Sequence, residues 1–288
     1  MADITIRRSV AFAAVCLCLI GGLVWASTAW VGRGGEPWLD PSVPAPSDDA
    51  VVVAELFTSE GCSSCPPADE VLSRLVREPL GGTVVLGLGE HVDYWDHLGW
   101  TDPFSSPVFS RRQSEYQGRV FRTGSIYTPQ IVVDGQFEAV GSDVSAVRGA
   151  IARAAGVPKA AVEVAVWPAD AGHLSIHVQV TLPSVVAVRE QADVVVALTQ
   201  DHLTNDVRRG ENGGRRLAHS AVVRSLTALG TLKPPARTFE TTGAVPVVGD
   251  WNLDDLRVIG LLQERGSRRI VGAGFARVNV FKAAPSAG

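Results

Sequence analysis

Methionine occurs once in the 288 residues, at Met1, which excludes a methionine-rich metal site or an adaptable methionine surface. Positive charge is also short. The 26 Lys and Arg against 30 Asp and Glu leave a net charge of −4. A broad basic surface for neutralising phosphates is therefore absent, and a dedicated nucleic-acid binder is excluded. No internal repeat occurs, which excludes a solenoid. No glycine-rich loop ends in Lys-Ser/Thr, and nothing points to a nucleotide, haem or flavin site. With 46% apolar and 19% charged residues, the chain has the composition of a folded protein. Its length suggests roughly two domains at about 150 residues each.

The N-terminal stretch is a targeting segment. Arg7 and Arg8 precede an uncharged run over residues 9–32. A short basic region followed by an apolar stretch reads as a secretory signal. The run is also long enough to cross a bilayer uncut. Residues 1–31 are thus expected to be a signal peptide or a membrane anchor that tethers the chain. Either way, the positive-inside bias leaves the arginines in the cytoplasm and sends the rest outside. Residues 32–48 hold Pro37, Pro41, Pro44 and Pro46 and read as a Pro-rich linker.

Cysteine is scarce, and its placement is informative. Cys16 and Cys18 lie in the leader, so the exported part keeps only Cys62 and Cys65, spaced C-x-x-C. Outside the cytoplasm such a pair can form a disulfide. A bridge closing so small a loop restrains the unfolded chain little, which suits redox chemistry better than stapling. A structural zinc site needs four ligands, and no second C-x-x-C supplies them.

Residues 51–57 (VVVAELF) form a β-branched apolar run typical of a buried strand. Ala68, Val71, Leu72, Leu75 and Val76 then recur on one helix face. Pro66 and Pro67 are tolerable only near a helix start, which puts Cys62 at the N-terminal end of that helix. There the free N–H groups and the helix dipole favour a thiolate. Cys62 is expected to open the helix as the exposed attacking thiol, and Cys65 to resolve the mixed disulfide. Glu60 would oppose thiolate formation. Glu55 is the odd residue in its strand. If buried, its pKa would rise, and it could move a proton to or from Cys65; at a strand end it would simply face solvent.

Residues 83–88 read as a second strand. Pro129 follows Thr128 and leads two short apolar runs separated by Asp134-Gly135, a strong hairpin signal. Residues 142–155 then read as a helix. The order strand, C-x-x-C helix, strand, insertion, Pro-led hairpin, helix resembles the thioredoxin fold over residues 49–156, with the insertion at about 89–122. In that resemblance Pro129 takes the place of a cis-proline facing the dithiol. The substrate backbone would then be presented next to Pro129, with Thr128 among the residues that bind it. The stretches ELFTSEGCSSCPPAD, HVDYWDHLGWTDPFSSPVFSRRQ, YTPQIVVDG and RGENGGRRLAHSAVVR resemble, more narrowly, a bacterial exported thioredoxin-like family whose domain has no assigned function.

In the insertion, Tyr94, Trp95 and Trp100 are expected to floor a substrate groove or to pack in the core. His91 offers an alternative role, joining Cys62 and Cys65 in a copper or zinc site. Residues 110–116 (SRRQSEY) read as a polar helix face. From Lys159 the pattern changes to short alternating or apolar runs with turns between them, a β-rich, sandwich-like region over 157–282. His173 and His177 read as sheet-surface residues. Residues 208–216 (RRGENGGRR) read as an exposed loop, with contact to the redox domain or to an acidic partner as the functional option.

The expected fold is therefore an α/β thioredoxin-like domain followed by a mainly-β, sandwich-like domain. The expected function is an extracytoplasmic thiol–disulfide oxidoreductase of the periplasm or cell envelope. Its catalytic set is Cys62, Cys65, Pro129 and Glu55, with Thr128, Tyr94 and Trp95 at the substrate. It needs no cofactor beyond the redox-active disulfide. Its partners are exported thiol or disulfide proteins, or a membrane electron donor. The alternative is a binding module or a copper or zinc chaperone that keeps the dithiol but does not turn over.

Overall fold

The strands and helices follow from local pattern. β1 (Ala50–Thr58) and β2 (Thr83–His91) are the two apolar runs, and they pair in parallel. Between them runs α1 (Pro66–Arg77), whose two opening prolines occupy positions where no backbone donor is needed. It buries Ala68, Val71, Leu72 and Leu75 against Val52, Ala54 and Leu56 of β1. Each large aliphatic side chain taken fully out of water there contributes roughly 1.5–3 kcal/mol. α2 (Pro107–Tyr116) lies in the connection from β2 to β3 (Gln130–Val133). β3 turns back as β4 (Phe137–Val140), and α3 (Val144–Ala155) follows. The hairpin turn needs two left-handed residues; Asp134 (φ 48°) and Gly135 (φ 69°) supply them, and Gln136 N donates to Val133 O at 3.0 Å.

Among the described residues the second half supplies nine more strands. They are β5 (Ala161–Pro168), β6 (His173–Thr181), β7 (Ala192–Gln200), β8 (Leu203–Asp206) and β9 (Arg216–His219). β10 (Val222–Leu232), β11 (Thr238–Pro246), β12 (Leu256–Glu264) and β13 (Ile270–Arg277) complete them. The computed structural model describes residues 50–169, 172–249 and 251–278; the expected leader and linker lie outside these.

The strand order overturns the expected fold class. The sheet β13-β12-β7-β10-β2-β1-β3-β4 takes strands from both halves of the chain. The described chain is mostly β, with 44% strand and 20% helix. An α/β thioredoxin-like domain followed by a separate β domain is not what forms. The junction is the outer edge of β2: Val222 pairs with Gly89, and Gly89 N donates to Ala221 O at 2.7 Å. A continuous apolar layer runs behind that junction. Val53, Leu86, Leu88 and Phe109 from the first half pack with Ala197, Val223, Ile259 and Leu261 from the second. Periodicity announces each strand but not which strand takes an open edge, because that is decided by which faces bury together.

A second sheet, β11-β6-β5, packs over the β7–β12–β13 end and encloses a core of Ile176, Val178, Val180, Val194, Val196 and Val258. Gly272 and Gly274 of β13 make this possible. A side chain at either would run into the carbonyl of Ala160 or Val162. His173 is exposed and His177 half-buried on β6, where the alternation puts them outward. β8 and β9 form a separate hairpin.

α2 departs from its expected character. It is a helix, but Arg112, Gln113 and Tyr116 are buried, so SRRQSEY does not form a solvated polar face. Arg112 faces Glu55 at 2.5 Å and Glu90 at 3.3 Å, on the sheet face away from α1.

Candidate functional site

The two cysteines are joined in a Cys62–Cys65 disulfide, with Cα atoms 5.5 Å apart. Cys62 does not open the helix. α1 starts at Pro66, Cys65 is its N-cap residue, and Cys62 stands in the preceding turn, where Cys65 N donates to Cys62 O at 3.2 Å. Nor is Cys62 exposed: it is 1% exposed and Cys65 is 0%. Ser63 and Ser64 are the exposed residues of the motif. The expectation of an exposed attacking sulfur is corrected accordingly.

The Thr128–Pro129 peptide bond is cis, and Pro129 is buried. A methyl group built on Gly141 would lie 3.0 Å from Ala68 Cβ and 3.4 Å from Pro129 Cβ. This brings the proline beside the first turn of α1. Trp95 Nε1 donates to Thr128 Oγ1 at 2.8 Å, and a Cβ at Gly61 would touch Trp95 Cβ at 3.0 Å. Thr128, Trp95 and the dithiol loop are thus one contiguous patch. Tyr94 stands between this patch and α2: its hydroxyl donates to Gln113 Oε1 at 3.1 Å and also lies by the Thr128 hydroxyl, and burial pushes its phenol up to about 12.

Glu55 is not the raised carboxyl that burial alone would make it. It is fully buried, so it is not a solvent-facing strand end. Burial acts to raise its pKa, but the Arg112 guanidinium beside it outweighs that and holds the carboxyl below its ordinary value. Tyr116 Oη also donates to it. Strand alternation puts Glu55 on the α2 face, whereas Ala54 and Leu56 meet α1. The raised carboxyl of that face is Glu90, pushed well up by burial and by the neighbouring Glu55 charge.

Behind the dithiol, on the α1 face, stands a different acid cluster. Asp69 lies one turn past Cys65, its N–H donating to Cys65 O at 3.2 Å. Burial raises the pKa of its carboxyl, and His219 and His91 partly offset this. Thr58 Oγ1 donates to Asp69 Oδ1 at 2.9 Å, and His219 Nδ1 is 3.9 Å from Asp69 Oδ2. His219 Nε2 meets Glu60 Oε1 at 3.1 Å, and Glu60 Oε2 accepts from Trp100 Nε1 and Asn205 Nδ2. His91 Nδ1 pairs with Asp102 Oδ2 at 2.7 Å. Burial acts to lower the His91 pKa, but the charge and hydrogen bond of Asp102 together with the charges of Asp69 and Glu60 raise it. The His91 and His219 rings meet edge to face, centroids 4.9 Å apart.

His91 is therefore committed to Asp102 and is not gathered with the two sulfurs. Among the described residues no group of three or more His, Cys, Asp or Glu is arranged to hold a metal ion. Sequence reasoning missed Asp69, Asp102, His219 and Asn212. Asp69, four residues past Cys65 on a helix, carried a usable signal; His219 and Asn212 come from the far half of the chain and carried none beyond their motif.

The loop over 207–215 joins β8 to β9 and reaches this site. Asn212 is 1% exposed, and its Nδ2 donates to Glu60 O at 2.8 Å and Cys62 O at 2.9 Å. Glu211 Oε2 accepts from Ser63 N at 2.8 Å. The arginines of this loop are exposed as expected, and contact with the dithiol segment is the option observed.

Two solved structures share this architecture. Protein AGR_C_4864 from Agrobacterium tumefaciens is 29% identical, with a TM-score of 0.61, covering 81% of this chain and 97% of that one. HBP35 of Porphyromonas gingivalis is 15% identical, with a TM-score of 0.62 over 84% and 79%, a likeness of fold alone. No curated protein matches the sequence. Residues 53–263, which span the dithiol, the acid cluster and the Asn212 loop, match the family described as "Protein of unknown function (DUF1223)", and the chain belongs to that family.

Proposed function

We propose that the protein is an extracytoplasmic thiol–disulfide oxidoreductase, acting through Cys62 and Cys65 on exported proteins or small thiols. The observation that carries this reading is the disulfide at the head of α1, with cis-Pro129 beside the first turn of that helix and Asp69, one turn past Cys65, facing His219. Asp69, whose N–H donates to Cys65 O, brings a carboxyl raised by burial within one helical turn of the second cysteine. The motif resemblance to thioredoxin-like oxidoreductases supports the reading at the level of the dithiol alone. The basic-then-apolar leader and the oxidised pair support a place in the periplasm or cell envelope.

The chemistry balances over two electrons. The Cys62 thiolate attacks a client disulfide, forming a mixed disulfide and releasing one client thiolate. The Cys65 thiolate then attacks Cys62 Sγ, restoring the internal bond and releasing the second client thiolate. A dithiol donor, soluble or membrane-borne, reduces the pair for the next cycle. Asp69 takes the proton from the Cys65 thiol as it attacks, with His219 beside it. Pro129 and Thr128 border the place where the client chain lies.

The test is exchange with glutathione buffers, followed by trapping. Cys65→Ser is expected to accumulate a mixed disulfide on Cys62, and Cys62→Ser to accumulate none. A pair that never equilibrates with glutathione, together with no trapped adduct in Cys65→Ser, overturns the proposal. The alternative of a copper or zinc chaperone gains no support, because His91 is held by Asp102.

A further inference from the structure

We propose that the loop over 208–214 is a latch that closes over the Cys62–Cys65 disulfide and must lift before any client sulfur can reach it. This rests on the oxidoreductase reading and adds the regulation of that site. Three observations carry it. First, the disulfide is covered: Cys62 is 1% exposed although it lies in a surface turn whose next two residues are exposed. An attacking thiolate must approach along the S–S axis, so the cover has to move before exchange.

Second, the loop holds the dithiol segment through polar contacts at its tip. Asn212 Nδ2 spans the carbonyls of Glu60 and Cys62, and Glu211 accepts from Ser63 N. Arg215 Nη1 donates to Asn212 Oδ1 at 2.7 Å, which fixes the amide with its NH2 toward those carbonyls. Residues 208–214 (RRGENGG) contain no apolar side chain beyond glycine. Opening therefore breaks a few hydrogen bonds and withdraws no large apolar side chain of the loop itself from packing.

Third, the loop is built to swing. Its base is closed by Val207 N to Arg215 O at 2.9 Å and Gly214 N to Val207 O at 2.8 Å, with Val207 buried as an anchor. Gly210 and Gly214 sit at φ 74° and 83°, a backbone region that glycine adopts without strain. A cavity of about 310 Å³, lined by Trp100, Asn205, Arg208 and Arg216, leaves one flank of the loop unpacked.

The experiment measures the rate of disulfide reduction by glutathione, and of reoxidation by glutathione disulfide, in the oxidised full chain and two variants. Asn212→Ala is expected to accelerate both directions about tenfold or more, since two hydrogen bonds to the covered segment are lost. Glu211→Ala, a change at an exposed side chain, is expected to accelerate both about threefold or more. Because a latch alters access, the forward and reverse rates rise together. If Asn212→Ala does not fold, Glu211→Ala decides alone. Rates within twofold of the wild type in every folded variant, or acceleration confined to one direction, overturn the latch. Faster opening in the variants with no turnover of a protein disulfide supports the latch and defeats the oxidoreductase reading. Ready turnover with unchanged variant rates does the reverse.

Discussion

Asp69 is the residue on which the proposed chemistry turns. It stands in the first turn of α1, its carboxyl accepts from Thr58, and the charges of His219, His91 and Asp102 act on it. Burial raises its pKa from 3.8, so the folded protein binds this proton more tightly than the unfolded chain does. Stability contributed by the group is therefore present in acid and is lost as pH rises from 3.8 through the raised value. Asn in its place keeps the acceptor oxygen for Thr58 and cannot ionise. Asp69→Asn is expected to flatten unfolding free energy against pH above 4, while slowing glutathione exchange by about 10²-fold, the usual worth of a positioned proton acceptor. Denaturant melts at several pH values and stopped-flow exchange measure the two effects. A wild-type exchange rate in Asp69→Asn would remove the acid from the mechanism. Glu55 invites the opposite expectation, since its carboxyl is already ionised by Arg112 and faces the other side of the sheet.

At the scale of elements, α2 is the piece whose meaning differs most from its composition. SRRQSEY looks like a solvated helix face, yet it carries one guanidinium into a site with two buried carboxylates, and Gln263 of β12 closes the network at 3.0 Å from Arg112 Nη1. Helical periodicity was legible there; the burial was not, because it depends on Glu55 and Glu90, which lie on strands far away in sequence. By contrast β1, α1, β2 and the Asp134-Gly135 hairpin are legible, since each is fixed by apolar spacing, proline or left-handed turn residues within a few positions. Arg112→Met leaves a buried acid pair without the cation that contacts it, Arg268 acting only from farther off. It is expected to cost about 3–5 kcal/mol, read as a fall in the urea midpoint. Adding Glu55→Met should return part of that loss, because the second change removes the uncompensated charge. A single variant as stable as the wild type would show that the acids share a proton without help from the arginine.

For the molecule as a whole, the sulfur pair was readable from cysteine count alone, and the face of α1 from its spacing. The partner of β2 was not, and neither were His219 and Asn212, because all three depend on how the second half of the chain folds back. The first half leaves Val53, Leu86 and Leu88 facing away from α1, and Ala197, Val223 and Ile259 cover them. It also leaves Asp69 without His219 and Cys62 without Asn212. Residues 49–156 expressed alone would expose that apolar layer and the β2 edge together, a surface that favours association over folding. Such a fragment is expected to bind a hydrophobic dye and to unfold without a sharp urea transition, whereas the full chain unfolds cooperatively. A cooperative transition in the fragment, with the Cys62–Cys65 bond intact, would mean that the shared sheet is a docking of two independent bodies. The latch would then be an interface between them, and its opening would track their separation.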